Sequence, residues 1–288
     1  MSKLETITIF VIAVMLIGVY FALPPIGIYT EDGGAKYIQM KSFCMNQWKS
    51  IEIPYPAKAI DPDIRWMGRQ KNFIVRDGKL FCSYQPAFTF LSSLFFPFLG
   101  TRVIYFLPLV TFFLSIIFLL KTLQIVMPKN RLFFLLLFAY TLASPVMIYS
   151  ITFWEHMPAV FLVTVGLYYM VRSYYQQNTS ANLFLSSFFV SLGIFFREGI
   201  FLFWLAFFTC ITVDLYINKQ RKNILYLLLG GIIPIAGYLL SNFILYRNFL
   251  GLHLFFSNQG GCIPLRKIAV IFTFFSISSI ENGLETYS

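Results

Sequence analysis

Long apolar runs separated by short polar breaks dominate the chain. They fall at about residues 7–27, 86–99, 102–120, 132–150, 157–171, 183–196, 199–217, 224–246 and 267–280. A helix needs about 20 residues to cross the hydrocarbon core of a bilayer. The recurrence of runs near that length predicts an all-α polytopic membrane protein, multi-pass in the plasma membrane. The run 86–99 is short and carries Pro86 and Pro97, so it is expected to dip into the membrane without crossing. Runs 183–196 and 199–217 form one stretch broken only by Arg197-Glu198-Gly199. At about 1.5 Å per residue the whole would measure roughly 50 Å, too long for one crossing, so a helical hairpin is predicted at that break.

The first run is followed by Pro24-Pro25 and lacks a small-residue cleavage pattern, so it reads as a retained signal anchor. The polar stretch 28–85 that follows it is not featureless. Tyr37, Met40, Cys44 and Trp48 recur at helical spacing, with Lys36, Gln39, Ser42, Asn46 and Lys49 on the other side. That pattern predicts a juxtamembrane helix lying in the interface, polar side to water. Asp77-Gly78 between two short β-like runs predicts a small hairpin.

Loop charges orient the spans. Lys121, Lys129 and Arg131 flank one turn, Arg172 follows another run, and Lys219, Arg221 and Lys222 flank a third. The positive-inside rule makes all three cytoplasmic. With the N-terminus also inside, the stretch 28–85 becomes the first extracytoplasmic loop, and parity requires that 86–99 not cross. Glu31-Asp32, Glu155 and Glu198 then face one outer side. The whole of 1–288 is read as a single transmembrane domain, with 262–288 a truncated or aberrant end.

Composition sharpens this only in part. The chain is 58% hydrophobic and 12% charged, and Phe alone accounts for 35 residues; soluble domains carry roughly twice that share of charge. The formal charge of +10 sits mainly in loops beside apolar runs, where it serves topology and lipid headgroups, and no nucleic-acid partner is expected. Four cysteines form no CxxC or Cys/His cluster, which argues against a structural zinc site. Cys44 and Cys82 share the long loop, so a disulfide between them is open to the sequence.

Three polar spots can carry chemistry. Glu31 and Asp32 leave the first span beside Gly33-Gly34. Acidic residues suit the start of the following helix, and a carboxylate beside apolar walls also suits a general base or a metal ligand. Glu155-His156 sits between two apolar runs, where polar anchors are common. Arg197-Glu198 interrupts an apolar stretch, where charge is costly and suggests function; a guanidinium there suits a phosphate, and the adjacent pair also suits a self-neutralising turn. Together these groups fit a reaction on a lipid-phosphate substrate.

The order of elements resembles the GT-C superfamily of polytopic glycosyltransferases, in its protein-mannosyltransferase-like branch. TEDGGAKY resembles the acidic motif that opens the first extracytoplasmic loop in that family. SYQPAFTFLSSLFFPFLG at 83–100 resembles its proline-led aromatic segment, ASPVMIYSITFWEH at 143–156 its later outer acidic site, and GIFFREG at 193–199 its span-closing arginine. DGGAKYIQ is also similar to uncharacterised bacterial glycosyltransferases of this type. The likeness covers roughly residues 7–257; such enzymes usually exceed 400 residues.

The resemblance implies a GT-C-like transmembrane helix bundle and inverting transfer of a sugar from a polyprenyl-phosphate donor to a lipid, glycan or protein acceptor at the outer membrane face. It assigns Asp32 and Glu155 to catalysis and Glu31, Lys36, His156, Arg197 and Glu198 to substrate binding. A divalent metal is compatible with Glu31-Asp32 but not required by it, and no metal ligands are assigned. Two other readings remain open: a transporter or flippase, which also places charges within apolar runs, and a non-catalytic membrane remnant.

Overall fold

The computed structural model describes residues 3–68, 72–127, 131–175, 179–249 and 251. The run at 267–280 and the end at 262–288 lie outside them. The described chain is mainly helical, with a single two-stranded hairpin among the described residues. Three segments are long and apolar enough to cross a membrane by length and composition: Pro86–Val126, Ile200–Ile217 and Arg221–Tyr246. Thr6–Ala22 and Thr179–Phe195 are apolar but shorter.

Helix α1 (Lys3–Ala22) stops ahead of Pro24-Pro25. Helix α2 (Glu31–Met45) starts where Thr30 Oγ1 accepts the Gly33 N–H, leaving Glu31 and Asp32 in the first turn, where the dipole favours carboxylates. A short helix α3 (Arg65–Gly68) precedes strands β1 (Phe73–Arg76) and β2 (Lys79–Cys82). Asp61 accepts hydrogen bonds from the Arg65 and Trp66 N–H groups and from the Tyr55 hydroxyl. Burial pushes its carboxyl up, but those three donors outweigh it and hold it below the usual carboxylate value. The strands pair Arg76 with Lys79 across Asp77-Gly78, both at positive φ, as a two-residue hairpin turn requires.

The 41-residue segment Pro86–Val126 is not one rod. Gly100, at φ +56°, divides it into α4 (Pro86–Leu99) and α5 (Val103–Val126). The 14 residues of α4 rise about 21 Å, short of a core of about 30 Å, whereas the 24 of α5 suffice. The run 132–150 behaves otherwise than its length implied. Ser144 accepts the Val146 N–H ahead of Pro145, and that cap separates α6 (Arg131–Leu142) from the short α7 (Pro145–Ser150).

Helix α8 (His156–Tyr175), α9 (Thr179–Leu192), α10 (Ile200–Ile217) and α11 (Arg221–Tyr246) complete the chain. The predicted reversal at Arg197-Glu198-Gly199 is present: a 3-10 turn at Gly193–Phe195 ends α9, and Trp204 Nε1 reaches back 2.9 Å to Ser187 Oγ. Helix α8 packs between α5 and α9, and α9 between α8 and α11. Small residues set these approaches. Ser186 Oγ donates to the Gly166 carbonyl at 2.8 Å, and a Cβ on Gly230 would land on the Phe184 carbonyl. Side chains this small let the paired backbones come close enough for tight van der Waals packing. Gly230→Leu is therefore expected to separate α9 from α11 and cost about 1–3 kcal/mol, read as a lower aggregation temperature of the purified protein.

One expectation is corrected here. Helix α2 is not an interfacial helix with its polar side to water. Lys36, Gln39 and Ser42 are buried, while Ile38, Lys41 and Met45 are exposed. The polar side faces polar groups of α4 and the neighbouring segment instead: Thr89 Oγ1 donates to Gln39 Oε1 at 2.7 Å, and Gln39 Nε2 donates to the Tyr84 carbonyl at 3.3 Å. Trp48 lies beyond the helix, at φ +57°, donating to Ser93 Oγ at 2.9 Å. Cys44 and Cys82, whose pairing the sequence left open, are free thiols. Cys44 Sγ lies 3.5 Å from the Ser93 carbonyl and Cys82 Sγ 3.9 Å from that of Ala35.

The helix directions sort the polar groups. The starts of α2, α4, α8 and α10 share one end of the bundle with the last turn of α11, where Arg76 Nη1 donates to the Tyr246 carbonyl at 2.5 Å. The opposite end holds Arg172, Lys219, Arg221 and Lys222, with Tyr174 donating to Asp214 and Ser180 to Asn223.

Candidate functional site

A cavity of about 290 Å³ opens at the first of these ends. Four separate chain segments line it: Asp32 from α2, Tyr84 and Gln85 just before α4, Glu155 and His156 at the start of α8, and Phe196 to Gly199 after α9. Each has a local reason to be there. Glu155 precedes α8 and its carbonyl accepts the Ala159 N–H, so its carboxylate sits at a helix N-terminus. Arg197 follows the 3-10 turn and its N–H bonds the Gly193 carbonyl. Thr30, the cap of α2, also accepts from Trp154 Nε1 at 3.0 Å, which ties the start of α2 to the residue before Glu155.

Glu155 is the electrostatic centre. Only 9% of it is exposed. Lys36, itself 2% exposed, has its ammonium ion-paired with one carboxylate oxygen. Arg197 Nη1 stands 3.5 Å from the other, and His156 Nδ1 3.9 Å from it. Two buried charges compensate each other here, an arrangement that is stable only while both are present. The Lys36 ammonium also lies 4.3 Å over the Tyr84 ring, a cation–π contact.

Asp32 is held by a second network. The single Tyr84 hydroxyl proton is shared between Asn72 Oδ1, which accepts it at 3.0 Å, and the Asp32 carboxylate; Asn72 Nδ2 donates to Glu31 Oε1 at 3.1 Å. Burial and then the Asp32 carboxylate push the Tyr84 phenol well above its ordinary value, so it stays protonated as a donor. Gln85 Nε2 donates to Glu198 Oε1 at 2.7 Å and to the Tyr238 hydroxyl at 2.8 Å. The His156 ring packs on Tyr149 and Trp154, with centroids at 4.7 and 5.1 Å.

Asp32, Glu155, His156, Arg197 and Glu198 thus meet in one cavity. Two of the residues singled out in the sequence do not line it. Glu31 is exposed and engaged by Asn72, and Lys36 lies behind Glu155, where it balances charge and does not face the cavity. Glu198 lines it but is already bonded to Gln85. Tyr84, Gln85 and Asn72 were not picked out as chemistry from the sequence. Uncharged side chains in a loop carry no local signal; only the fold shows what they hold.

Among the described residues no three His, Cys, Asp or Glu side chains cluster as metal ligands. The cavity presents three carboxylates and Arg197, with Lys36 behind. A larger groove of about 500 Å³ adjoins it. Its walls include Trp48, Pro86, Phe90, Phe195 and Leu245, and Gln85 lines both spaces. The polar cavity can hold a hydroxylated or anionic group, and the groove beside it can hold an apolar one. No family model matches the chain, and no curated protein or solved structure matches it.

Proposed function

We propose that the chain is a multi-pass plasma-membrane glycosyltransferase with a GT-C-like bundle, moving a sugar from a polyprenyl-phosphate donor to a lipid, glycan or protein hydroxyl at the outer face. The observation that carries this reading is the junction at Gln85. A polar cavity with Asp32 and Arg197 meets a mainly apolar groove there, which is the shape of a substrate with a polar head and a greasy tail.

In this reading Asp32 accepts the proton of the acceptor hydroxyl. The freed oxygen pair attacks the anomeric carbon, the bond from that carbon to the phosphate oxygen breaks, and the lipid phosphate leaves with the electron pair. Attack opposite the leaving group inverts the centre. Arg197 stabilises the negative charge that grows on the phosphate. Glu155, ion-paired with Lys36, orients Arg197 and His156. Tyr84 fixes the Asp32 carboxylate.

The test is the surface glycan and glycolipid profile of cells lacking the gene, with and without the restored chain. A sugar that disappears and returns supports the reading; an unchanged profile opposes it. The orientation is tested separately. In a chain without its native cysteines, a cysteine placed near residue 155 is expected to react with an impermeant thiol reagent from outside, and one near residue 220 only after lysis. Equal labelling from one side would exclude a bundle that crosses the membrane between them.

A further inference from the structure

Away from the cavity, α1 and α5 enclose a separate groove of about 410 Å³. Leu16, Ile17, Phe21, Leu99, Phe106 and Val110 form most of its wall, which is almost wholly apolar. It runs along α1 from Ala13 to Phe21, about 12 Å of helical rise. One leaflet of the hydrocarbon core is about 15 Å deep, so the groove matches most of a leaflet. Ile17, Phe21 and Val110 are exposed, so it opens sideways to the surroundings of the bundle.

Arg102 caps the end of this groove nearest the site. Its Nη1 donates to the Tyr20 carbonyl at 2.8 Å and the Leu23 carbonyl at 3.5 Å. Its guanidinium carbon sits 5.7 Å from the Tyr20 ring centroid and 5.9 Å from that of Phe21. All of these partners are neutral. Among the described residues no carboxylate forms an ion pair with Arg102, in contrast to Lys36 and Arg197, which share Glu155. A guanidinium has five N–H donors in a planar fork that suits phosphate. An uncompensated fork therefore stands at the headgroup end of a leaflet-deep apolar groove.

We propose that this groove binds an anionic glycerophospholipid, its phosphate on Arg102 and one acyl chain between α1 and α5. A second copy of the chain fits the groove less well. Where this protein brings helices together it uses Gly166, Gly230 and Ser186, whereas bulky side chains such as Phe21, Phe106 and Phe113 line this groove. A flexible chain fills such an irregular surface better than a rigid helix.

The test uses the full chain in nanodiscs of phosphatidylcholine mixed with phosphatidylglycerol, with retained lipids counted by native mass spectrometry. The wild type is expected to retain phosphatidylglycerol severalfold over phosphatidylcholine. Arg102→Gln, which keeps an amide donor for the Tyr20 carbonyl, is expected to lose that preference, and Arg102→Lys to keep most of it. Val110→Trp, which fills the groove without touching Arg102, is expected to lose the tightly held lipid of either kind. Equal retention of both lipids by the wild type overturns the proposal, as does an unchanged preference in Arg102→Gln. Disulfide cross-linking of Ile17→Cys between two copies would also overturn it, because the occupant is then a second chain.

Discussion

Lys36→Met is expected to destabilise the protein by about 3–5 kcal/mol. The substitution keeps the apolar stem of the side chain but leaves the Glu155 carboxylate buried without its one buried counter-charge. Arg197 compensates only in part, because it stands 3.5 Å from the other oxygen and half of its side chain is in contact with solvent. His156, at 3.9 Å, would have to gain a proton to help. The measurement is the aggregation temperature of the purified protein, alone and in a cycle with Glu155→Leu. The double variant Lys36→Met/Glu155→Leu is expected to recover most of the loss, because removing both charges removes the desolvation cost with the attraction. Were the two losses simply additive, Lys36 and Glu155 would be acting independently and the buried pair would be wrong.

This pair also shows where sequence reading succeeds and where it stops. Glu155 and Arg197 were legible because charge at the edge of an apolar run is costly and therefore conspicuous. Asp32 was legible because a helix start beside two glycines and an apolar run is a recognisable place for a carboxylate. The hairpin at Asp77-Gly78 was legible because that turn needs positive φ at both positions, and so few residues serve it. Loop charge then suggested that the acidic spots share one face, and the helix directions do bring Asp32, Glu155 and Glu198 to one end.

What failed was the environment of α2. Helical spacing sorts residues by polarity, but it does not say whether water or protein lies on the polar side. Here the partner is α4, whose Thr89 meets Gln39, and Lys36 finds a carboxylate far along the chain. Tyr84, Asn72 and Gln85 stayed hidden for a related reason. Their hydrogen bonds link segments distant in sequence, and nothing in their own neighbourhood marks the partner. The break within 132–150 is written locally in Ser144-Pro145, but an apolar run continues through it and conceals it.

On the proposed function, Asp32→Asn is expected to reduce sugar transfer by about 100- to 10,000-fold while leaving the amount of the chain in membranes unchanged. The amide has nearly the carboxylate's shape and can still accept from Tyr84, and the Thr30 cap does not depend on it. What it lacks is basicity, so the acceptor hydroxyl keeps its proton. Tyr84→Phe is a useful companion: it removes the hydroxyl that fixes Asp32 but leaves the base in place, so a smaller loss is expected. Arg197→Lys keeps a charge but not the fork that grips a phosphate, and a loss is expected there too. The readout is the restored glycan in cells lacking the gene, normalised to the chain present in membranes. Full restoration by Asp32→Asn would remove Asp32 as the base. Glu155 could not easily replace it, because its carboxylate is already committed to Lys36. Loss in Asp32→Asn with near-normal transfer in Tyr84→Phe would keep the base and discard the idea that Tyr84 positions it.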